Sequence, residues 1–157
     1  MESIKKLSIF SLIFGAISGF LGLLPFVGVL AFLMIIFCSS FIILVLLKKT
    51  GNLFCPDEKT GMLYGGLAGF IAYIGFSLTF IPLSFILSFI FKESYFTGIA
   101  MIVKSGFMLM IMLIFFIGIL CAMMNVFSGL ASVYFFNSEN KNAKFTLKSE
   151  KGKNNGF

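Results

Sequence analysis

The feature that most constrains this chain is a run of 41 residues without a charge, from position 7 to position 47. As one helix, the run would be about 62 Å long, twice the roughly 30 Å hydrocarbon core of a bilayer. The run must therefore turn back on itself. Pro25 stands near its middle, with a glycine three residues away on either side, and this is the local chemistry of a helix break. The run predicts a hairpin of two transmembrane spans, at about 7–24 and 26–47.

The composition of the chain points to the same class of protein. Hydrophobic residues make up 59% of the sequence and charged residues 11%, whereas a soluble domain carries roughly a quarter of charged residues. The length allows one compact unit and no appended enzyme module. The absence of histidine excludes an imidazole base, and because the three cysteines are far apart in the sequence, no thiolate metal site is expected. No catalytic residue, metal site or cofactor is expected.

Two further uncharged runs, at 60–91 and 105–138, complete the predicted topology. The first is too short for two spans and a turn, so we expect a single tilted helix at about 62–90 with a kink near Pro82. The second run predicts a fourth span at about 106–136. The predicted fold is therefore an all-α integral membrane protein of four transmembrane helices, arranged as two hairpins.

The predicted domain organisation is one transmembrane domain, residues 1–136, followed by a lysine-rich tail, residues 137–157. The tail is too polar to form a core, so we expect it to be disordered. Four spans place ten of the twelve lysines on one face of the membrane, and this bias predicts that both termini are cytoplasmic. Because the lysines flank the apolar runs, the net charge of +6 is explained by the membrane rather than by nucleic acid. A cell membrane or inner membrane is the expected location of this multi-pass chain.

An internal echo at an offset of 50 residues is the most informative pattern within the spans. Residues 11–22 read SLIFGAISGFLG and residues 61–72 read GMLYGGLAGFIA, so small residues align with small ones and large apolar residues with large apolar ones. We call these small positions the small-residue seam: Ser11, Gly15, Ser18, Gly19, Gly22, Gly61, Gly65, Ala68, Gly69 and Ala72. Helices gain no hydrophobic drive from touching one another in lipid, and small residues allow the close backbone approach that stabilises their contact.

The seam predicts that spans one and three pack in parallel, with a left-handed crossing of about 20°. Two alternatives stay open at this stage, namely an interface between copies of the chain, such as a pore, and a coincidence within a restricted membrane alphabet. A true duplication would relate the two hairpins by an axis along the membrane normal. The expected partners are the lipid bilayer and other membrane proteins or the chain itself.

Polar groups inside the spans are scarce, and they bear directly on function. None of the three uncharged runs contains Asp, Glu, Lys or Arg, although such groups normally mark the path of a transported ion or proton. Asn125 is the most polar side chain in a span, and it is expected to hydrogen-bond across helices or, alternatively, to contact a substrate. We therefore expect a non-enzymatic structural, accessory or assembly component of a membrane complex. The alternative is a small channel or transporter built on the duplicated glycine-rich hairpin.

Overall fold

The computed structural model describes residues 2–24, 26–51, 57–91 and 106–154. This part of the chain forms five helices and no strand: α1 (Glu2–Leu21), α2 (Val27–Phe37), α3 (Ser39–Lys49), α4 (Glu58–Phe91) and α5 (Phe107–Asn154). Three of them, α1, α4 and α5, are long and apolar enough to cross a membrane, and α2 with α3 makes a fourth candidate if this bent pair is one span. The prediction of an all-helical chain with several membrane-type helices is confirmed.

The long helices lie close to the predicted spans. Their membrane-type segments are Ser3–Leu21, Glu58–Leu87 and Met108–Ser138. The turn after α1 is tight, and Phe26 at its end has a φ of 67° and is 87% exposed. Pro25, the predicted breaker, lies outside the described residues. Pro82 lies inside α4, which continues as a helix beyond it.

Two elements differ from the sequence-based expectation. The second span is not one helix, because α2 ends at Phe37, α3 begins at Ser39, and the two are bent by 70°. In addition, α5 continues as a helix to Asn154, through most of the stretch that composition predicts to be disordered. That stretch contains no proline, and its five lysines favour a helix, whereas its five asparagines and two glycines do not.

Helices α1 and α4 pack along each other and run in the same direction. Gly15 lies against Ala72, and Gly22 lies against Phe80, so the contacts advance together along both helices. Helix α4 packs on its other side against α5 in the opposite direction, as the contact of Gly61 with Val133 near the start of α4 shows. Helix α4 is therefore the central helix of the bundle.

One end of the bundle collects the charged flanks of the helices. A buried cluster joins the start of α1 to the end of α3, the first half of α4 and the middle of α5, and consists of Leu7, Ile43, Leu44, Leu47, Ala68, Ala72 and Phe136. Five lysines flank this end: Lys5, Lys6, Lys48, Lys49 and Lys59. We call it the lysine-rich end. The turn between α1 and α2 lies at the opposite end.

Candidate functional site at the break in the second span

The break between α2 and α3 is bridged by the side chain of Asn125 from α5. In an uninterrupted helix, the Ser40 N–H would donate to the Ile36 carbonyl. Instead, Ser40 N–H donates to Asn125 Oδ1 at 3.0 Å, and Asn125 Nδ2 lies 2.9 Å from the Ile36 carbonyl oxygen. The amide thus takes the place of one backbone hydrogen bond. Insertion of a side chain into the hydrogen-bond ladder is a recognised cause of a sharp bend in a helix.

The remaining hydrogen-bonding capacity of Asn125 is also used within the protein. Its Nδ2 lies 2.9 Å from the carbonyl oxygens of Ile35 and Cys121, and its Oδ1 lies 3.0 Å from the hydroxyl of Ser39. Carbonyls face one side of the amide and donors the other, so only one orientation of the amide fits. Asn125 is fully buried. Its two protons and its oxygen are therefore all engaged.

Two serines complete the connection of the break to its neighbours. The Phe41 N–H donates to Ser128 Oγ at 3.0 Å, and the hydroxyl of Ser40 donates to the carbonyl of Gly65 in α4. Helix ends leave N–H and C=O groups without intrahelical partners, and such groups are costly in an apolar environment without water. Side chains of α5 supply the missing partners here, so the bend is held by both α4 and α5.

Glycines of α4 make room for this arrangement. A Cβ on Gly69 would lie 2.6 Å from Asn125 Nδ2, and a Cβ on Gly65 would lie 2.5 Å from the Asn125 carbonyl oxygen and 2.7 Å from the Cα of Gly129. Real Cβ atoms do not approach other atoms so closely. The glycines therefore allow α5 to come close enough to α4 for Asn125 to reach the break.

The predicted seam residues are divided between two neighbours of α4. In and directly after α1, all five of them are buried, namely Ser11, Gly15, Ser18, Gly19 and Gly22. A Cβ on Gly15 would overlap the backbone carbonyl of Ala72. On α4, however, Gly61, Gly65 and Gly69 face α5, while Ala68 is buried in the cluster at the lysine-rich end. The two echoing stretches thus do not meet residue by residue.

This division leads to a test of the packing register. Cysteines in place of Gly19 and Thr79 are expected to form a disulfide within one chain, because a Cβ on Gly19 would lie 3.1 Å from the Thr79 Cβ. The pair Gly19→Cys and Gly69→Cys, which follows the echo, is expected to stay reduced because Gly69 faces α5. Gel mobility after mild oxidation, in a background without the native cysteines, distinguishes the two registers. A disulfide only in the echo pair would contradict the observed packing.

Sequence reasoning singled out Asn125 but not the serines that act with it. Ser39 and Ser40 follow Cys38 in the middle of a span in which every other side chain is apolar. Three adjacent small residues with polar side-chain atoms in a predicted span were the available signal, because serine pairs accompany helix kinks. Ser128 carries a weaker signal, its position one turn after Asn125 on the same face of α5.

A second feature lies on the α2 side of the break, between α2, α4 and α5. It is a cavity of about 320 Å³ whose walls include Phe32, Phe76 and Ile114. Its polar groups belong to Tyr73 and Ser77, which are hydrogen-bonded to each other through their side chains. The cavity is suited to apolar contents and contains no acid or base for catalysis.

The chemistry available in the described part of the chain is limited. Residues 2–24, 26–51, 57–91 and 106–154 bring together no group of three or more Cys, Asp or Glu side chains that could hold a metal ion. Comparison with known proteins adds no assignment, since no protein family, curated protein or solved structure matches the chain. The bridged break is therefore the most specific arrangement of polar groups that the fold provides.

Proposed function

We propose that the chain is a non-enzymatic membrane protein that crosses the bilayer four times and acts as a structural, accessory or assembly component of a membrane complex. The observation that carries the proposal is the internal use of Asn125. This side chain is the most polar group within the spans, and all its hydrogen-bonding positions are occupied by the protein itself. It therefore supports the shape of the bundle and has no position left for a substrate.

The contrast with a transporter lies in the ends of the broken helix. Transporters that contain discontinuous helices present the N–H and C=O groups at the break to ions or substrates. Here the Asn125 amide accepts a hydrogen bond from the Ser40 N–H and donates one to the Ile36 carbonyl. Ser128 Oγ accepts a hydrogen bond from the Phe41 N–H. In addition, no Asp, Glu, Lys or Arg lies at positions 7–47, 60–91 or 105–138, which supply the predicted spans. Both observations favour a scaffold over a conduction pathway.

Helix α5 offers the surface on which a partner would pack. It has the smallest buried share of the three long candidate spans. One of its faces carries large exposed side chains at helical spacing: Met108, Met112, Phe116, Met123 and Phe127. Methionine and phenylalanine adapt well to the irregular surface of a neighbouring helix. We infer that this outward face of α5 meets the transmembrane helices of the complex.

Photo-crosslinking in native membranes tests the proposal. Benzoylphenylalanine in place of Phe116 or Phe127, which are 66% and 71% exposed, is expected to give the same discrete protein adduct from both positions. The same probe at Phe136, which is 1% exposed, is the matched control and is expected to give none. Adducts with lipid alone at both exposed positions would contradict the accessory role.

The competing function predicts a different result in a purified system. A channel or transporter should move ions or solutes across liposomes that contain only this protein, and the flux should disappear in Gly65→Leu. We expect no flux above that of empty liposomes. Flux that depends on Gly65 would replace the accessory role with the transport role.

The proposed orientation places both termini and the lysine-rich end in the cytoplasm, because lysine flanks are retained on that side. In a background without native cysteines, Asp57→Cys at that end is expected to react with a membrane-impermeant maleimide only after cells are permeabilised. Leu24→Cys, which is 52% exposed in the turn at the opposite end, is expected to react in intact cells. The reverse pattern would overturn the orientation.

A further inference from the structure

A groove between α3 and α5 opens at the lysine-rich end. Its volume is about 350 Å³, and its walls are Phe41, Val45, Lys48, Lys49, Phe135 and Phe136. The rings of Phe41 and Phe135 meet edge to face with centroids 5.8 Å apart. The groove thus joins an apolar aromatic wall, within the span, to two cations at the point where α3 ends.

The position of Lys48 is fixed by an aromatic ring. Its Nζ lies 4.3 Å from the centre of the Phe136 ring, close enough for a cation–π interaction. Phe136 is itself buried, so the ring gives the ammonium group a rigid support. Lys49 is exposed beside it. Two positive charges therefore stand at the mouth of the groove.

Neither lysine is needed to satisfy the end of α3. The Thr50 hydroxyl lies 3.0 Å from the Leu46 carbonyl oxygen and 3.1 Å from that of Leu47, and the Gly51 N–H donates to the Lys48 carbonyl at 3.0 Å. The last carbonyls of the helix thus have partners from the main chain and from Thr50. Capping of these carbonyls therefore does not depend on the lysine side chains.

We propose that this groove binds one acidic phospholipid, with its phosphate at Lys48 and Lys49 and an acyl chain along Phe41, Val45 and Phe135. Charge complementarity selects this occupant, since basic pockets between transmembrane helices bind anionic head groups. The proposed four-span topology places ten lysines and only five acids on the side of the membrane on which the groove opens. The site is independent of the accessory role, because a scaffold, a channel and a transporter could each carry it.

Native mass spectrometry of the purified full chain tests the site. Titration with phosphatidylglycerol is expected to give one tightly retained lipid per chain, and phosphatidylcholine is expected to be retained far more weakly. The double variant Lys48→Gln, Lys49→Gln is expected to lower the affinity for phosphatidylglycerol about 30-fold, from the usual contribution of two lysines near anionic lipid. The matched control, Lys5→Gln with Lys6→Gln, removes the same charge at the same end and is expected to retain the lipid.

A second variant separates the groove from simple surface charge. Val45→Trp fills the apolar wall while it leaves both lysines in place, so it is expected to abolish stoichiometric retention. Circular dichroism and gel filtration show whether each variant is folded. If the double variant does not fold, the single variant Lys49→Gln, at an exposed position, replaces it. Equal losses in both lysine double variants, full retention in folded Val45→Trp, or equal retention of the two lipids would overturn the proposal.

Discussion

Replacing Asn125 with leucine is expected to lower the free energy of unfolding by about 2–6 kcal/mol. Leucine has the same branched arrangement of non-hydrogen atoms, is bulkier, and provides no donor or acceptor. The Ser40 N–H and the Ile36 carbonyl both bond to the Asn125 amide, and a buried polar group left without its partner costs about 1–3 kcal/mol. The measurement is reversible unfolding in mixed micelles, followed by circular dichroism.

The control for this prediction removes an asparagine from an exposed position of the same helix. Asn137→Leu lies one residue beyond the predicted fourth span and is exposed, so it is expected to change stability by less than about 0.5 kcal/mol. Similar losses for Asn125→Leu and Asn137→Leu would show that the bridge across the break contributes nothing specific. A large loss only at Asn125 supports the bridge.

The second large effect is expected from Gly15→Leu. This substitution should lower the free energy of unfolding by about 3 kcal/mol, the upper end of the usual cost of overpacking. A Cβ at this position would overlap the Ala72 carbonyl, which belongs to the backbone and cannot rotate away. Helices α1 and α4 must then separate, and they lose close contacts that lipid does not replace. The same unfolding experiment measures this loss.

Ala131→Leu is the matched control for the glycine. It also adds a large side chain to a small residue of a long apolar helix, but Ala131 is exposed. We expect a change within about 0.5 kcal/mol. If Gly15→Leu is equally mild, the close approach of α1 and α4 does not stabilise the bundle.

The long helices could be predicted from the sequence because hydropathy and length are local properties of a run. An uncharged run of 32 to 41 residues fixes how much lipid-compatible helix the chain can form, wherever its neighbours lie. The turn after the first span could also be predicted from a local pattern, a proline with a glycine three residues away on either side. These elements required no knowledge of tertiary contacts.

The break at Cys38 has only the serine pair as a local signal, and the side chain that holds it open is distant in the sequence. Asn125 lies 85 residues after Ser40, and no proline or glycine marks the site of the bend. The helix that each residue of the small-residue seam contacts could not be predicted from the sequence either. A glycine in a helix indicates a close approach, but it does not say which helix approaches, and Gly69 meets α5 although its echo Gly19 meets α4.

The long separation between Ser40 and Asn125 also has a consequence for how the protein is made. A ribosome that adds roughly 5–20 residues per second needs about 4–17 s to synthesise the chain between them. During that interval the Asn125 amide is absent, so the Ser40 N–H pairs with the Ile36 carbonyl as in an uninterrupted helix, because lipid offers these groups no other partner. We expect the nascent second span to enter the membrane as a straight helix and to bend only when the last helix delivers the amide.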